Sequence, residues 1–92
     1  MIVIQKFSSI GCIPCKGLQK ERTEFLEETN YDVLVEEYDV AANRDFAIAN
    51  GIRSVPTMIV RDHDGRVLQT IVGFRKKEEL QEILAEVLGR KE

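Results

Sequence analysis

The segment Ser8–Gly17, "SSIGCIPCKG", contains both cysteines of the chain, Cys12 and Cys15, and Pro14 directly precedes the second one. The short apolar run Ile2–Phe7 comes before this segment and is typical of a buried strand. Two cysteines in a C-x-x-C arrangement are compatible with three kinds of site: a redox-active dithiol, half of a metal site, or two buried structural thiols. The choice among them depends on the elements that hold the pair.

The residues after this segment predict alternating helices and strands. A stretch rich in Lys, Glu and Leu without proline follows the cysteines, and β-branched residues mark the later strands. The order β-α-β-α-β-β-α predicts an α/β fold with a mixed four-stranded sheet flanked by three helices. The predicted elements are strand Ile2–Phe7, helix Pro14–Glu28, strand Asp32–Val40, a short helix within Ala42–Gly51, strands Thr57–Val60 and Arg66–Val72, and a C-terminal helix.

Single residues predict where these elements end. Asn43 is expected to cap the short helix and Gly51 to end it. Asp64 and Gly65 favour a tight turn between the last two strands, and Gly89 is expected to end the last helix. The apolar face of that helix consists of Leu80, Ile83, Leu84, Val87 and Leu88.

The first helix has only a thin apolar face. We expect the aliphatic part of Arg22 to cover the core beside this face, since Arg22 occupies the turn between its apolar residues. Phe7 and Phe46 are predicted to belong to the core. The apolar residues of the helix are Leu18, Phe25 and Leu26.

Length and charge limit the function classes. The 92 residues are expected to form one domain, residues 1–92, because a chain of this length supports a single core. The net charge of −3, with acids and bases interspersed, offers no basic stripe for nucleic acid. The start "MIVIQKFSS" predicts neither a secretion signal nor a membrane span. A cytoplasmic monomer is therefore expected, and in a reducing compartment a close cysteine pair is catalytic or metal-binding more often than structural.

The predicted position of the pair suits redox chemistry. Cys12 falls at the junction of the first strand and the first helix, where unpaired N–H groups favour a thiolate with a pKa below the usual value of about 8.5. Lys16 adds a positive charge nearby, and Pro14 restricts the loop. Once such a thiolate has attacked a disulfide, Cys15 in the same turn can resolve the mixed disulfide.

Metal binding within one chain is not expected. A zinc site needs four ligands, usually from a second cysteine pair or two histidines. The chain has one histidine, His63, in the predicted "RDHDG" turn, where a solvated side chain is the simplest interpretation. A zinc ion or iron–sulfur cluster shared between two chains stays as an alternative, and so do two inert buried thiols.

Three segments together resemble the thioredoxin superfamily: "CIPCK" after a strand, "GIRSVPT" at Gly51–Thr57, and a hairpin that ends in "VGF" at Val72–Phe74. The similarity runs through nearly the whole chain and implies a thioredoxin-like fold. In that family the first cysteine is the nucleophile and the second resolves, which implies these roles for Cys12 and Cys15. The proline of "SVPT" is cis and lies against the cysteines in the family, which implies the same for Pro56.

The resemblance also implies a substrate site. Pro56 has no N–H to place against the thiolate, and the backbone of Val55 is free to pair with an extended segment of a protein disulfide substrate. Gly73 is implied as a further substrate-binding residue. The dithiol itself carries the electrons, so no bound cofactor and no metal are expected. The sequence predicts a protein-disulfide reductase, and the rival is a non-enzymatic thioredoxin-fold module or a metal or cluster carrier that dimerises through C-x-x-C.

Two departures from the family bear on partners. The chain starts directly in the strand that leads to the cysteines, so its size is similar to that of glutaredoxins. The glycine pair and acidic cap of the glutathione signature are absent, because Gly73 is followed by Phe74, Arg75 and Lys76. A thioredoxin-reductase-type electron donor is therefore expected, with glutathione-linked glutaredoxin activity as the alternative. Whether Phe74 belongs to the core or to the rim of the site stays open.

Residues around the cysteines differ from the family as well. Gly11 stands where thioredoxins carry a tryptophan, and the small or uncharged Gly11 and Ile13 predict a reducing couple. Lys6 occupies the position of an acidic residue that assists proton transfer at the second cysteine, and Glu37 falls where the family has a lysine. We consider two hypotheses for Lys6: it lowers the pKa of Cys15, or it extends to solvent, which is favoured.

Overall fold

The computed structural model describes residues 1–91, with side chains described up to Gly89. The order of elements and the four-stranded mixed sheet agree with the prediction. None of the helices in the described residues is long and apolar enough to cross a membrane. The elements are β1 (Ile2–Ser8), α1 (Ile13–Glu28), β2 (Val33–Asp39), α2 (Arg44–Ala49), β3 (Thr57–Arg61), β4 (Val67–Val72) and α3 (Lys77–Lys91).

Strand β1 occupies an inner position in the sheet, whose strand order is β2-β1-β3-β4. It runs parallel to β2, with Ser8 opposite Asp39. On its other side it runs antiparallel to β3, with Phe7 opposite Thr57, and β3 continues into the antiparallel strand β4. The ends of β1 and β2 and the start of β3 therefore share one edge of the sheet, and the cysteine segment leaves β1 at this edge.

Helices cover both faces of the sheet. Helix α2 packs on one face through a cluster of Phe7, Ala47 and Ile59. Because side chains alternate along a strand, Lys6 shares the opposite face of β1 with the apolar residues that pack against α1 and α3. The core on that face consists of Ile2, Ile4, Leu18, Phe25, Met58, Val60, Ile71, Leu80 and Leu84.

The turn between β3 and β4 forms as predicted. Gly65 adopts a φ of +84°, a conformation that glycine adopts without steric cost. The carboxylate of Asp62, which the sequence pattern did not single out, accepts hydrogen bonds from the N–H groups of Asp64 and Arg66 at 2.9 and 3.0 Å. Asp62 thus satisfies the backbone donors of this turn.

One predicted helix end holds in position only, and another is wrong. Asn43 precedes α2, but its side chain makes no capping bond and instead donates to the carbonyl of Asp39 at 3.0 Å. Helix α3 continues through Gly89 to Lys91. A single glycine costs a helix only about 1 kcal/mol relative to alanine, which does not end it when good helix formers follow. The prediction for Gly51 holds, since it follows α2 with a φ of +71°.

Two core predictions are confirmed and one is wrong in part. Phe7 is fully buried, and the Arg22 side chain covers core with only 14% of its surface exposed. Phe46 is 38% exposed, because the short helix α2 leaves one side of its ring open. The ring packs against Tyr38 and Phe7, with centroid distances of 4.9 and 5.8 Å.

Candidate active site

The cysteine pair lies at the N-terminus of α1. Cys12 is the capping residue, Cys15 lies in the first turn, and a disulfide bond joins the two across a Cα–Cα distance of 5.2 Å. The backbone N–H of Cys15 donates a hydrogen bond to Sγ of Cys12 at 3.2 Å. Pro14, also in the first turn, has no N–H that would need a partner. The helix end therefore directs an N–H donor at the Cys12 sulfur, which favours a thiolate there after reduction.

The two cysteines differ in accessibility. Cys15 is only 4% exposed, whereas Cys12 is half-buried. On either side of Cys12, Ile10 and Ile13 are 94% and 79% exposed. Gly11 has a φ of +84° and open space where a Cβ would stand, so the backbone turn requires glycine at this position. An incoming disulfide thus meets Cys12 first, within an uncharged and largely apolar rim.

The "SVPT" segment lies at the same edge of the sheet. The Val55–Pro56 peptide bond is cis, as the resemblance implied, and Pro56 is fully buried. Thr57 pairs with Phe7, so Pro56 lies beside the end of β1 that leads to the cysteines. The N–H of Gly73 donates to the Pro56 carbonyl at 2.9 Å. The structure therefore brings Val55, Pro56 and Gly73 together at one edge.

An open groove of about 460 Å³ adjoins Val55, between α2 and the loop that precedes β3. The sequence pattern did not reveal it, because its walls come from segments that only the fold brings together. Most of its lining side chains are apolar, and they include Val40, Ala47, Ile48 and Ile52.

A charge cluster of two largely buried cations and one half-exposed carboxylate lies on the α1 side of the sheet. Nζ of Lys6 donates to Oε1 of Glu37 at 3.4 Å, and Nη2 of Arg22 lies 3.4 Å from the same oxygen. The Lys6 side chain is only 3% exposed, so the favoured hypothesis that it extends to solvent is wrong. Helix α1 closes over this face of the sheet and keeps the side chain from water. Burial lowers the pKa of Lys6 from its ordinary value, and the Glu37 carboxylate opposes that shift.

A cavity of about 300 Å³ connects this cluster with the disulfide. Each of the elements β1, β2 and α1 contributes charged or sulfur-bearing side chains to its walls, so charges from separate segments surround the cysteines. These wall residues are Lys6, Cys12, Cys15, Lys16, Glu37 and Asp39.

Phe74 lies against α1 at Gly17. A Cβ at Gly17 would stand 3.3 Å from Cε2 of the Phe74 ring. Phe74 is 41% exposed, so its ring covers the helix next to the cysteines and also forms part of the surface. The sequence did not predict this contact, because its two residues are far apart along the chain.

The described residues contain no cluster of metal-ligating side chains. Within residues 1–91, no cluster of three or more His, Cys, Asp or Glu side chains could hold a metal ion. His63 is 66% exposed in the β3–β4 turn, with Nε2 3.4 Å from Oδ1 of Asp64. This turn lies at the opposite end of β3 from Pro56, so His63 is remote from the cysteine site.

A disulfide at a helix N-terminus, with one accessible and one buried cysteine, defines the site of a thiol–disulfide oxidoreductase on an α/β fold. The thioredoxin family profile matches residues 1–86. The chain belongs to the thioredoxin family, and its redox-active group is the cysteine pair itself, without an external cofactor.

Individual relatives agree with this assignment. The thioredoxin of Listeria monocytogenes is 32% identical over 83 residues, which are 90% of this chain and 80% of that protein. The thioredoxin of Bacillus subtilis is 35% identical over 83 residues, covering 90% of this chain and 79% of that protein. Among solved structures, a mutant thioredoxin from Halobacterium salinarum superposes with a TM-score of 0.82 at 29% identity, covering 94% of this chain and 74% of that chain.

Proposed function

We propose that this protein reduces disulfide bonds in protein substrates, with Cys12 as the attacking residue and Cys15 as the resolving residue. The observation that carries the proposal is the difference in accessibility: Cys15 is 4% exposed, whereas Cys12 is half-buried beside two exposed isoleucines. A bulky substrate disulfide can reach the Cys12 sulfur but not the Cys15 sulfur. The mixed disulfide is then resolved from within the chain.

The reaction starts from the reduced pair. The Cys12 thiolate attacks one sulfur of the substrate disulfide, which forms a mixed disulfide and releases a substrate thiolate that takes up a proton. Cys15 loses its proton and attacks the Cys12 sulfur, which releases the second substrate thiolate. Two electrons have then passed to the substrate, and the chain holds the Cys12–Cys15 disulfide found in the structure.

The proposed substrate site lies beside the cysteines. An extended substrate segment pairs with the backbone of Val55, and Pro56 with Gly73 forms a wall that the 2.9 Å hydrogen bond between them holds in place. The apolar groove of about 460 Å³ next to Val55 accepts a substrate side chain. Ile13, exposed on the rim, adds apolar contact area.

We propose a thioredoxin-reductase-type enzyme as the electron donor. Membership of the thioredoxin family supports it, and so does the lack of a glycine pair with an acidic cap in the segment Gly73–Lys76. We further propose that the chain works as a single-domain monomer in the cytoplasm. Both of its cysteines pair within one chain, and a reducing compartment keeps such a pair available for turnover.

The test measures NADPH consumption with insulin as the disulfide substrate. The expected result is turnover with thioredoxin reductase and little with glutathione plus glutathione reductase. Cys12→Ser should abolish turnover, and Cys15→Ser should accumulate a mixed disulfide at Cys12 that mass spectrometry detects. Full activity of Cys12→Ser would contradict the assigned roles. A coloured or zinc-containing dimer without reductase activity would favour the carrier function instead.

A further inference from the structure

We propose that Lys6 is a positioning residue for the resolving step, in which its ammonium group stabilises the Cys15 thiolate that attacks the mixed disulfide. The inference rests on the proposed function, because it concerns the proposed resolving cysteine. The Lys6 side chain is 3% exposed and Cys15 is 4% exposed, and both line the cavity of about 300 Å³. Water screens a charge at this depth only weakly, so the charge acts on a group that ionises in the same cavity.

Two cations share one carboxylate beside this cavity. Glu37 is shared by Lys6 and Arg22, each at 3.4 Å, so neither cation has a carboxylate of its own. Lys16 and Asp39 are the other charged groups on the walls. Such surroundings favour one further anion, and the Cys15 thiolate is the anion that resolution requires.

One hydrogen-bond donor in the cluster also lacks an acceptor. Among the described residues, Nε of Arg22 is a buried donor without a hydrogen-bond partner. This donor belongs to the same cluster as Lys6, so the cluster contains an N–H group that has no acceptor.

The step balances without any further reactant. The Cys15 proton leaves to solvent, which reaches the cavity past the exposed Lys16. Lys6 neither gains nor loses a proton in this step, and its ammonium group keeps the hydrogen bond to Glu37. The Cys15 sulfur then forms a bond with the Cys12 sulfur as the bond from Cys12 to the substrate breaks.

The experiment titrates Cys15 directly in the reduced full-length chain. In a Cys12→Ser background, the rate of alkylation by iodoacetamide against pH gives the pKa of Cys15. Adding Lys6→Met should raise this pKa by about one unit, which is about tenfold less thiolate at pH 7. Lys6→Arg should restore the lower pKa, and Lys20→Met, which removes an exposed charge from the same helix α1, should leave it unchanged. Lys6→Met should fold, because Arg22 still pairs with Glu37, whose side chain is 49% exposed.

Glu37→Gln separates stabilisation by Lys6 from proton acceptance by Glu37. Removing the carboxylate should leave the Cys15 pKa equal or lower, because the cations then act without it. An unchanged Cys15 pKa in Lys6→Met would overturn the proposal, and so would a Cys15 pKa that Glu37→Gln raises equally in the Lys6→Met background. Neither readout requires turnover, so a failure of the proposed function shows separately, as a lack of insulin reduction by the unsubstituted protein.

Discussion

Substituting Gly17 by alanine tests how firmly Phe74 is held against α1. Alanine is favoured over glycine inside a helix by about 1 kcal/mol. Against this gain, the new Cβ would stand 3.3 Å from Cε2 and 3.6 Å from Cδ2 of Phe74, so the ring has to move by a few tenths of an ångström, since carbon contacts are optimal at about 3.5–4.0 Å. Because Phe74 is 41% exposed, it can move toward solvent. We expect a net increase of about 0.5 kcal/mol in the free energy of unfolding.

Urea denaturation of the oxidised protein, followed by circular dichroism, measures this change. In a Phe74→Ala background the ring is absent, so Gly17→Ala should there yield the full gain of about 1 kcal/mol, and the difference gives the cost of moving the ring. Gly89→Ala is the matched control, because a Cβ at Gly89 meets nothing within 4 Å. A loss of stability from Gly17→Ala in both backgrounds would refute the reasoning.

Further substitutions test the core, the turn and the buried lysine. Phe25→Ala removes a ring that is 1% exposed and should cost about 3–5 kcal/mol in urea denaturation, against about 1 kcal/mol for the half-exposed Phe46→Ala. Asp62→Ala removes the acceptor of two turn N–H groups and should cost about 2 kcal/mol, with part recovered in Asp62→Asn; a neutral result would mean that the backbone alone forms the turn. Burial lowers the Lys6 pKa, so the unfolded chain binds more protons between the folded and unfolded pKa values, and stability rises with pH in that window. The Lys6→Met variant should be more stable than the unsubstituted protein at pH 7. Its midpoint of thermal unfolding should lack the rise between pH 7 and pH 10.5 that the unsubstituted protein shows. The same pH profile in both proteins would contradict the assigned cost of burial.

The chemistry at Cys12 could be predicted from the residues that neighbour it in the sequence. Its hydrogen-bond donor is the N–H of Cys15, in the first turn of α1, so no distant part of the chain is needed. The cis peptide bond at Pro56 does not follow from local physics, since only about 5–6% of such bonds are cis in folded proteins. The resemblance to a family supplied that prediction. For Asn43, the local pattern gave the right position at the start of α2 but not the capping bond, because its side chain donates to the Asp39 carbonyl instead.

The sequence alone determined the order of helices and strands and the position of the cysteines at a helix end, because hydrophobic periodicity and helix capping are properties of adjacent residues. Only the tertiary structure decided the surroundings of Lys6. Alternation along β1 places its side chain on one face, but the parallel register puts it opposite Glu37, and the closure of α1 over that face keeps it from water. Burial and charge pairing depend on segments that are distant in the chain, and those segments meet only when the sheet and its helices pack.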